Sequence, residues 1–335
     1  MKKKEQHILY PIKFIPFYKE KLWGGTKLTS VLDKDIGDLS NCGETWEVSA
    51  LEGYVSVVEN GRDKGKTLTA LIAQYKEQLM GEKVYKKYGN DFPLLVKFID
   101  ANKDLSIQVH PNDELALSRH NSCGKTEMWY VVQADEDSSL ISGFNQEMDK
   151  EKYLTYLEKG QIQKTLNTIE AKKDDVFFLP SGRVHTIGKG LLIAEIQQSS
   201  DVTYRIYDFD RKDADGNLRE LHTAQALDAI DFQYYPKAHY KHSYEEADNT
   251  LNELINCSYF QTNKLVLTKD YLRNYESVDS FRIMIFLEGN ATLITDETTT
   301  SCVKGDVYLI PAQIKTLQIV PNKSVKLLET YVTDS

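Results

Sequence analysis

From residue 93 onward the chain is written in short apolar stretches that alternate in polarity and stop at turn residues. They read "PLLVKFIDA", "LSIQVH", "TEMWYVVQA", "SLISGF", "DDVFFLPSGRVHTIG", "LLIAEIQQ" and "TYRIYDF". Each is short, rich in β-branched and aromatic residues, and bounded by Gly, Pro, Asp or Asn, which predicts strands. Residues 255–333 return to the same pattern with Thr, Asp and Asn turns. Strands this numerous and this closely spaced satisfy their edges as antiparallel barrels or sandwiches. Helical spacing predicts a helix over 67–89, where Leu68, Leu71, Ile72, Tyr75 and Leu79 share a face, another over about 147–170, and a short one in "LHTAQALDAI". "DRKDADGNLRE" reads as a polar, turn-rich loop. The expected class is mainly β with helical insertions.

A chain of 335 residues is too long for one small core. A short internal repeat points to two related barrels. "KKDDVFFLPSGRVHTI" and "CVKGDVYLIPAQIKTL" share an Asp-Val-aromatic-x-apolar-Pro core, aligning Asp175 with Asp306 and Pro180 with Pro311. The first copy carries His185, where the second has Lys315 and Thr316. The expected division is an N-terminal barrel over 1–240, holding both longer helices, and a C-terminal barrel over 241–335 without metal ligands.

Charge and cysteine usage remove several classes. A net charge of −9 argues against general nucleic-acid binding, and an anionic ligand would need local positive charge within its site. Cys42, Cys123, Cys257 and Cys302 are scattered with no CxxC pair, which excludes a disulfide framework and a thiolate zinc site as expectations. No apolar run is long enough to span a bilayer. The basic start is interrupted by Lys13 and two prolines before any signal-type apolar region, so the expected compartment is the cytoplasm. There is no Walker A loop, GxGxxG or GxSxG elbow, and "DADGN" lacks the twelve-residue calcium-loop pattern.

The polar residues inside the predicted strands carry the functional signal. In "LSIQVHPNDELA" the period of two puts Gln108 and His110 on one face, and Pro111 ends the ladder. In "KTEMWYVV" the same rule groups Lys125, Glu127 and Trp129. His185 closes a Pro-x-Gly-x-x-His turn that begins at Pro180. A single strand histidine is more often a hydrogen-bonded structural residue than a ligand. Here His110, Glu127, His185 and the amide of Gln108 come from one strand-rich region and supply the nitrogen and oxygen donors of a divalent-metal site with open positions. Lys97, inside "PLLVKFI", either lines a cavity or reaches water from a strand end. Arg205 shares a face with Thr203 and Tyr207. It suits either an ion pair with Asp208 or Asp210 or the recognition of an anionic ligand by its planar fork. Glu195, in "LLIAEIQQ", is either a general acid/base of raised pKa or a structural partner of a cation. Tyr204 and Tyr207 read as barrel packing.

Together, QxHP and PxGxxH resemble the metal site of cupin barrels. "LSIQVHPNDELA", "GKTEMWYVV" and "PSGRVHTIGKGLLIAEIQQSSDVTYRIYDFDR", with "KLWGG" and "GETWEVS" before them, are similar to the type I mannose-6-phosphate isomerases in their short bacterial form. The resemblance runs from about residue 11 to 230 and then rests on the second barrel-like repeat. It implies two cupin-like (jelly-roll) barrels, the first holding one Zn²⁺ per chain on Gln108, His110, Glu127 and His185. It further implies an active-site Arg205, with Lys125 and Lys97 at the substrate, and a sugar phosphate as the small-molecule partner. The implied reaction interconverts mannose 6-phosphate and fructose 6-phosphate through a cis-enediol. Glu195, a hydroxide on the metal and a Lys125 of lowered pKa stand as candidates for the proton-transfer base. Two rivals remain open on the residues alone: another metal-dependent cupin enzyme, such as an oxygenase using His110, Glu127 and His185, and a non-catalytic sugar-phosphate-binding cupin.

Overall fold

The computed structural model describes residues 9–212, 215–236 and 241–333. Asp213 and Ala214 of the "DADGN" segment lie outside the described residues; beyond them Gly216 turns the chain at φ +83°. The fold is mainly β with helical insertions.

The chain forms two compact units, and each is discontinuous. One comprises residues 17–46 and 94–243, the other residues 1–16, 47–93 and 244–335. This differs from the single cut at residue 240 expected above. The reason is non-local strand pairing, which local periodicity does not encode. Strand Ile12–Ile15 pairs with Val307–Ile310 on one side and with Val57–Val58 on the other, so the start of the chain is built into the C-terminal sheet. Helical residues of the 67–89 stretch follow: Phe281 N–H donates to Met80 C=O at 3.1 Å, and Ala312 N–H to Leu79 C=O at 3.0 Å.

The 17–46/94–243 unit is a two-sheet jelly roll. Its seven-stranded sheet runs, in spatial order, Lys241–His242, Val176–Leu179, Glu127–Ala134, Leu191–Gln198, Leu94–Ala101, Cys42–Val48, Phe17–Gly25. Its five-stranded sheet runs Tyr204–Tyr207, Ile107–Val109, His185–Ile187, Ser139–Phe144, Leu166–Glu170. The inner faces meet in a core that includes Trp23, Ile99, Trp129, Val131, Leu140, Phe177, Ile187 and Ile193. Strand alternation sends these side chains inward and leaves the same faces to carry the polar residues of the site.

The other unit is a nine-stranded antiparallel sheet whose centre is the long pair Arg282–Ile294 and Thr316–Tyr331. Breaks in register after Phe286 and Gly289 let that pair curl around a core of Leu265, Met284, Phe286, Leu293, Ile319 and Leu327.

Both longer helix predictions need correction. The 67–89 stretch is three short helices, Leu68–Tyr75, Glu77–Met80 and Glu82–Tyr88. Its apolar stripe is buried as expected, but Lys76 (φ +47°) and Gly81 (φ +94°) interrupt it. A Cβ on Gly81 would lie 2.4 Å from the Asp279 carbonyl oxygen, so that close approach needs glycine. The 147–170 stretch is helical only over Lys150–Glu158; a 3-10 turn at Ile162–Thr165 leads into strand Leu166–Glu170. A helix at Asp113–His120 was not anticipated, although its sequence signals are present. Asn112 caps it by accepting from Leu115 N–H at 2.9 Å, with Asp113 and Glu114 in the first turn and Arg119 and His120 in the last.

The repeat is geometric as well as sequential. Asp175 Oδ2 accepts from Lys172 N–H at 2.8 Å, and Asp306 Oδ2 from Val303 N–H at 3.0 Å. Each aspartate leads into a four-residue strand, Val176–Leu179 or Val307–Ile310. Each proline then accepts from the residue three ahead: Arg183 N–H to Pro180 C=O at 3.1 Å, and Ile314 N–H to Pro311 C=O at 3.0 Å.

Candidate active site

Cross-strand register assembles the site within the 17–46/94–243 unit. On the five-stranded sheet, Gln108 lies opposite Arg205 on one side and opposite His185 on the other. Directly opposed residues point to the same face, so these three form one inward row, with His110 two residues beyond Gln108. On the facing sheet, Glu195 lies between Lys97 and Trp129, and Glu127 lies two residues before Trp129. The two polar rows face each other across the jelly roll.

His110, Glu127 and His185 are buried, and their donor atoms lie within 4.8 Å of one another. Each imidazole is oriented from behind. His110 Nδ1 lies 2.9 Å from the Val202 carbonyl, and His185 Nδ1 lies 2.8 Å from the Arg183 carbonyl. A carbonyl only accepts, so Nδ1 carries the proton in both rings and each Nε2 presents a lone pair. Those lone pairs face the same carboxylate: His185 Nε2 is 3.3 Å from Glu127 Oε1 and His110 Nε2 is 3.5 Å from Oε2. Burial, with Lys125 and His185 adding to it, holds His110 well below the usual imidazole range; burial pushes His185 down to about 3. Both rings are therefore neutral at ordinary pH. Neither Glu127 oxygen has a well-formed hydrogen bond, although the Lys125 ammonium pairs with Oε2 at 2.8 Å. Two lone pairs aimed at an under-satisfied buried carboxylate form a donor set that a divalent cation fits. The Gln108 amide stands beside it, its Nε2 3.4 Å from His185 Nε2, and presents an oxygen to the same point when turned over.

Two neighbours of the trio, Gln108 and Lys125, line a cavity of about 320 Å³ together with Lys97, Glu195 and Arg205 and also Lys21, Glu44, Asp201 and Arg219. That is at the small end of ligand pockets, roughly 300–1,000 Å³. Lys97 lines the cavity from a buried strand position: its Nζ lies 3.5 Å from Glu195 Oε1 and 4.7 Å from the centroid of the Trp46 ring. Glu195 takes Trp129 Nε1–H at 2.8 Å on one oxygen, and its other oxygen has no hydrogen bond. Burial, reinforced by Glu127, raises its pKa against the pull of Lys125 and Lys97.

Lys125 does not behave as a lysine of lowered pKa. Burial works against its charge, but Glu127 and Glu195 outweigh burial and raise its pKa. Arg205 does not take Asp208, whose oxygens go to Arg211 and, at 3.1 Å, to Arg219. Its Nη1 donates instead to the Glu220 carbonyl at 2.8 Å, and its Nε has no partner. Burial and the neighbouring Arg219 lower its pKa, as expected of cations gathered in one place. Thr203 and Arg205 line the cavity, whereas a bulge between Arg205 and Tyr207 breaks the common face predicted for the three.

Sequence reasoning did not single out Lys21, Glu44, Asp201 or Arg219. Glu44 is held by its surroundings. Burial alone would raise its carboxyl, but Lys97 and Lys21 keep it at about 2, with Trp46 Nε1–H at 2.8 Å. The available signal was the period-two alternation in "YKEKLWGG" and "GETWEV", which aligns Lys21 with Trp23 and Glu44 with Trp46.

Comparison with known proteins bears on this arrangement. The family model for "Phosphomannose isomerase type I, catalytic domain" matches residues 12–136. Mannose-6-phosphate isomerase ManA of Bacillus subtilis (strain 168) is 39% identical over 305 residues, spanning 90% of this chain and 93% of that one. A mannose-6-phosphate isomerase of Streptococcus mutans is 44% identical over 211 residues, 63% of this chain and 65% of its own. Among solved structures, that of the mannose 6-phosphate isomerase from Bacillus subtilis superposes with a TM-score of 0.87 at 33% identity, covering 96% of this chain and 99% of that one.

Proposed function

The chain belongs to the type I phosphomannose isomerases, and from that premise we propose that it interconverts mannose 6-phosphate and fructose 6-phosphate, using a Zn²⁺ ion. The observation that carries this reading is the convergence of two fixed imidazole lone pairs on the Glu127 carboxylate, beside a cavity rich in cations. His110, Glu127 and His185 would hold the ion, with Gln108 as the fourth ligand. When bound, the ion supplies Lewis-acid stabilisation for negative charge on substrate oxygen.

The reaction opens the sugar ring and moves a proton between C2 and C1 through a cis-enediol. Arg205 and Arg219 give an overall acidic protein the local positive charge that a phosphate dianion needs. The Nε2 lone pair of His110 serves either the metal or the Lys125 ammonium, which lies 3.1 Å away in this structure, but not both. Lys125, charged and released toward the cavity, stabilises oxyanion charge rather than abstracting a proton. Glu195, with raised pKa and one unbonded oxygen, is suited to hold and return the proton. Asp201 is a further carboxylate facing the same cavity. The cations of the lining favour a phosphorylated ligand over the small apolar substrates and O₂ that an iron oxygenase would take. None of the four cysteines is in a disulfide, as suits a cytoplasmic protein.

The test is conversion of mannose 6-phosphate by purified protein before chelation, after chelation, and with Zn²⁺ returned. Activity lost and then restored supports the whole reading. A folded, zinc-loaded protein without turnover sinks it. Activity indifferent to chelation removes the metal and leaves the substrate assignment standing.

A further inference from the structure

Arg205 lies on Tyr204–Tyr207, the edge strand of the five-stranded sheet. Edge residues turn a backbone N–H and C=O away from the sheet, and those groups need partners. For Arg205 both go to one residue. His222 N–H donates to Arg205 C=O at 2.8 Å, and Arg205 N–H donates to His222 Nδ1 at 3.0 Å. A neighbouring strand would have answered with a carbonyl; here an imidazole takes that place.

This fixes the ring chemistry. Nδ1 must be unprotonated, so the proton is on Nε2, which lies 4.0 Å from the Glu220 carboxylate. Two residues before His222, the Glu220 carbonyl accepts from Arg205 Nη1 at 2.8 Å. The 219–222 stretch thus holds Arg205 at its N–H, its C=O and its guanidinium, while the same stretch brings Arg219 to the cavity wall. His222 also starts helix Thr223–Ala229, but its side chain makes no cap bond. Position N-cap favours Ser, Thr, Asp or Asn, whose oxygen would cap the helix. The ring of His222 goes instead to Arg205.

We propose that His222 is a positioning residue for catalysis: by accepting the Arg205 N–H on Nδ1 it fixes the backbone from which the Arg205 guanidinium reaches the substrate phosphate. This rests on the reading of Arg205 as a substrate-contacting cation. Any side chain that offers an acceptor at the Nδ1 position can replace it; one that does not lets the edge strand shift.

The experiment compares zinc-loaded wild type with His222→Leu, His222→Asn, Arg205→Ala and the double variant His222→Leu/Arg205→Ala. The readouts are kcat and KM for mannose 6-phosphate, calorimetric binding of inorganic phosphate, and thermal melts to confirm folding. His222→Leu is expected to lower kcat/KM and weaken phosphate binding by roughly 10- to 100-fold, the scale of a misplaced catalytic group. His222→Asn, whose Oδ1 can stand near Nδ1, recovers most of that loss. In the Arg205→Ala background, His222→Leu adds less than about twofold, because residues acting through one another are not additive. A merely structural histidine gives Leu and Asn variants that are equally impaired, or losses that add in full to Arg205→Ala; either result, or an unimpaired His222→Leu, overturns the proposal. A wild type that binds phosphate but does not isomerise counts against the proposed function alone, and the phosphate series then decides the role of His222.

Discussion

Glu127 and Glu329 are both completely buried, one in each unit, and are treated in opposite ways. Glu329 is saturated. Arg273 donates to it through Nη2 at 2.6 Å and Nε at 3.2 Å, and Tyr275 through its hydroxyl at 2.5 Å. Arg282 stacks over the Tyr275 ring, 4.0 Å from its centroid, and donates to the Ser280 and Ile314 carbonyls. Glu127 instead faces two lone pairs and one ammonium, without a well-formed hydrogen bond. A buried polar cluster that satisfies itself is a piece of structure; one whose acceptors face one another is a donor set that could hold a cation.

The sharpest way to break this comparison is to remove a member of each cluster. His185→Ala is expected to abolish stoichiometric zinc, read by elemental analysis, and to cut turnover by roughly a thousandfold or more, given what a bound metal contributes. Zinc should also raise the melting temperature of wild type and leave His185→Ala unmoved, because only a native site couples metal to stability. A variant that keeps both its zinc and its rate would return His185 to the ranks of structural histidines.

Glu329→Ala should behave in the opposite manner. It leaves the buried Arg282 and the half-buried Arg273 without the Glu329 carboxylate, a loss of about 3 kcal/mol by urea unfolding. Zinc content and turnover per folded molecule stay at wild-type level. If activity falls while stability holds, the second cluster has a functional role and the contrast fails.

Much of the first cluster was legible because the period of a strand is fixed: Gln108 and His110 must share a face wherever that strand lies. The meeting of His110 with Glu127 and His185 was not legible from spacing, since it depends on two sheets facing each other. The partition of the chain was hidden for the same reason, because Ile12 finds Leu309 across nearly the whole sequence. The 67–89 pattern gave the buried face correctly and missed the breaks, because nothing in its periodicity announces a positive φ at Lys76. Lys21, Glu44 and Arg219 escaped notice because a charged residue alternating with apolar ones looks the same on a solvated face as on a cavity wall. His222 passed as part of the short helix predicted in "LHTAQALDAI", and it stands at that helix's N-cap; its second use appears only once Arg205 is seen on an edge.

Glu44 shows whether the dividing line is satisfaction rather than membership of a unit. It borders the same cavity as Glu195, yet Trp46 Nε1–H at 2.8 Å and Lys21 at 3.1 Å hold it as firmly as Glu329 is held. Its folded carboxyl sits at about 2, against 4.5 for a free one. A depressed folded pKa contributes stability that is complete above the unfolded value and is lost as pH falls toward the folded one. Wild type should therefore exceed Glu44→Gln by roughly 2–3 kcal/mol from pH 8 down to about 5, with the gap narrowing only below about 4.5. Urea midpoints of both proteins across that range provide the check, and a gap that does not narrow in acid would show that shape rather than charge was lost.

The smallest expected effect lies where the two units are most alike. Asp175 and Asp306 make the same turn, accept from the residue three before at 2.8 and 3.0 Å, and pair with Lys241 at 2.5 Å and Lys13 at 2.8 Å. The local physics is the same, so the cost of removal should be too. Asp175→Ala and Asp306→Ala should each destabilise by about 1 kcal/mol, the worth of one side-chain hydrogen bond with a small ion-pair contribution. Neither should change zinc content, since Asp175 acts on the turn before Val176–Leu179 and the metal-type residue of that copy, His185, is oriented by the Arg183 carbonyl. An Asp175→Ala variant that loses metal as well as stability would mean that the repeated turn is tuned to the site it precedes, and that the two copies have diverged in their scaffolding and not only in the residue, histidine or threonine, that each presents at its end.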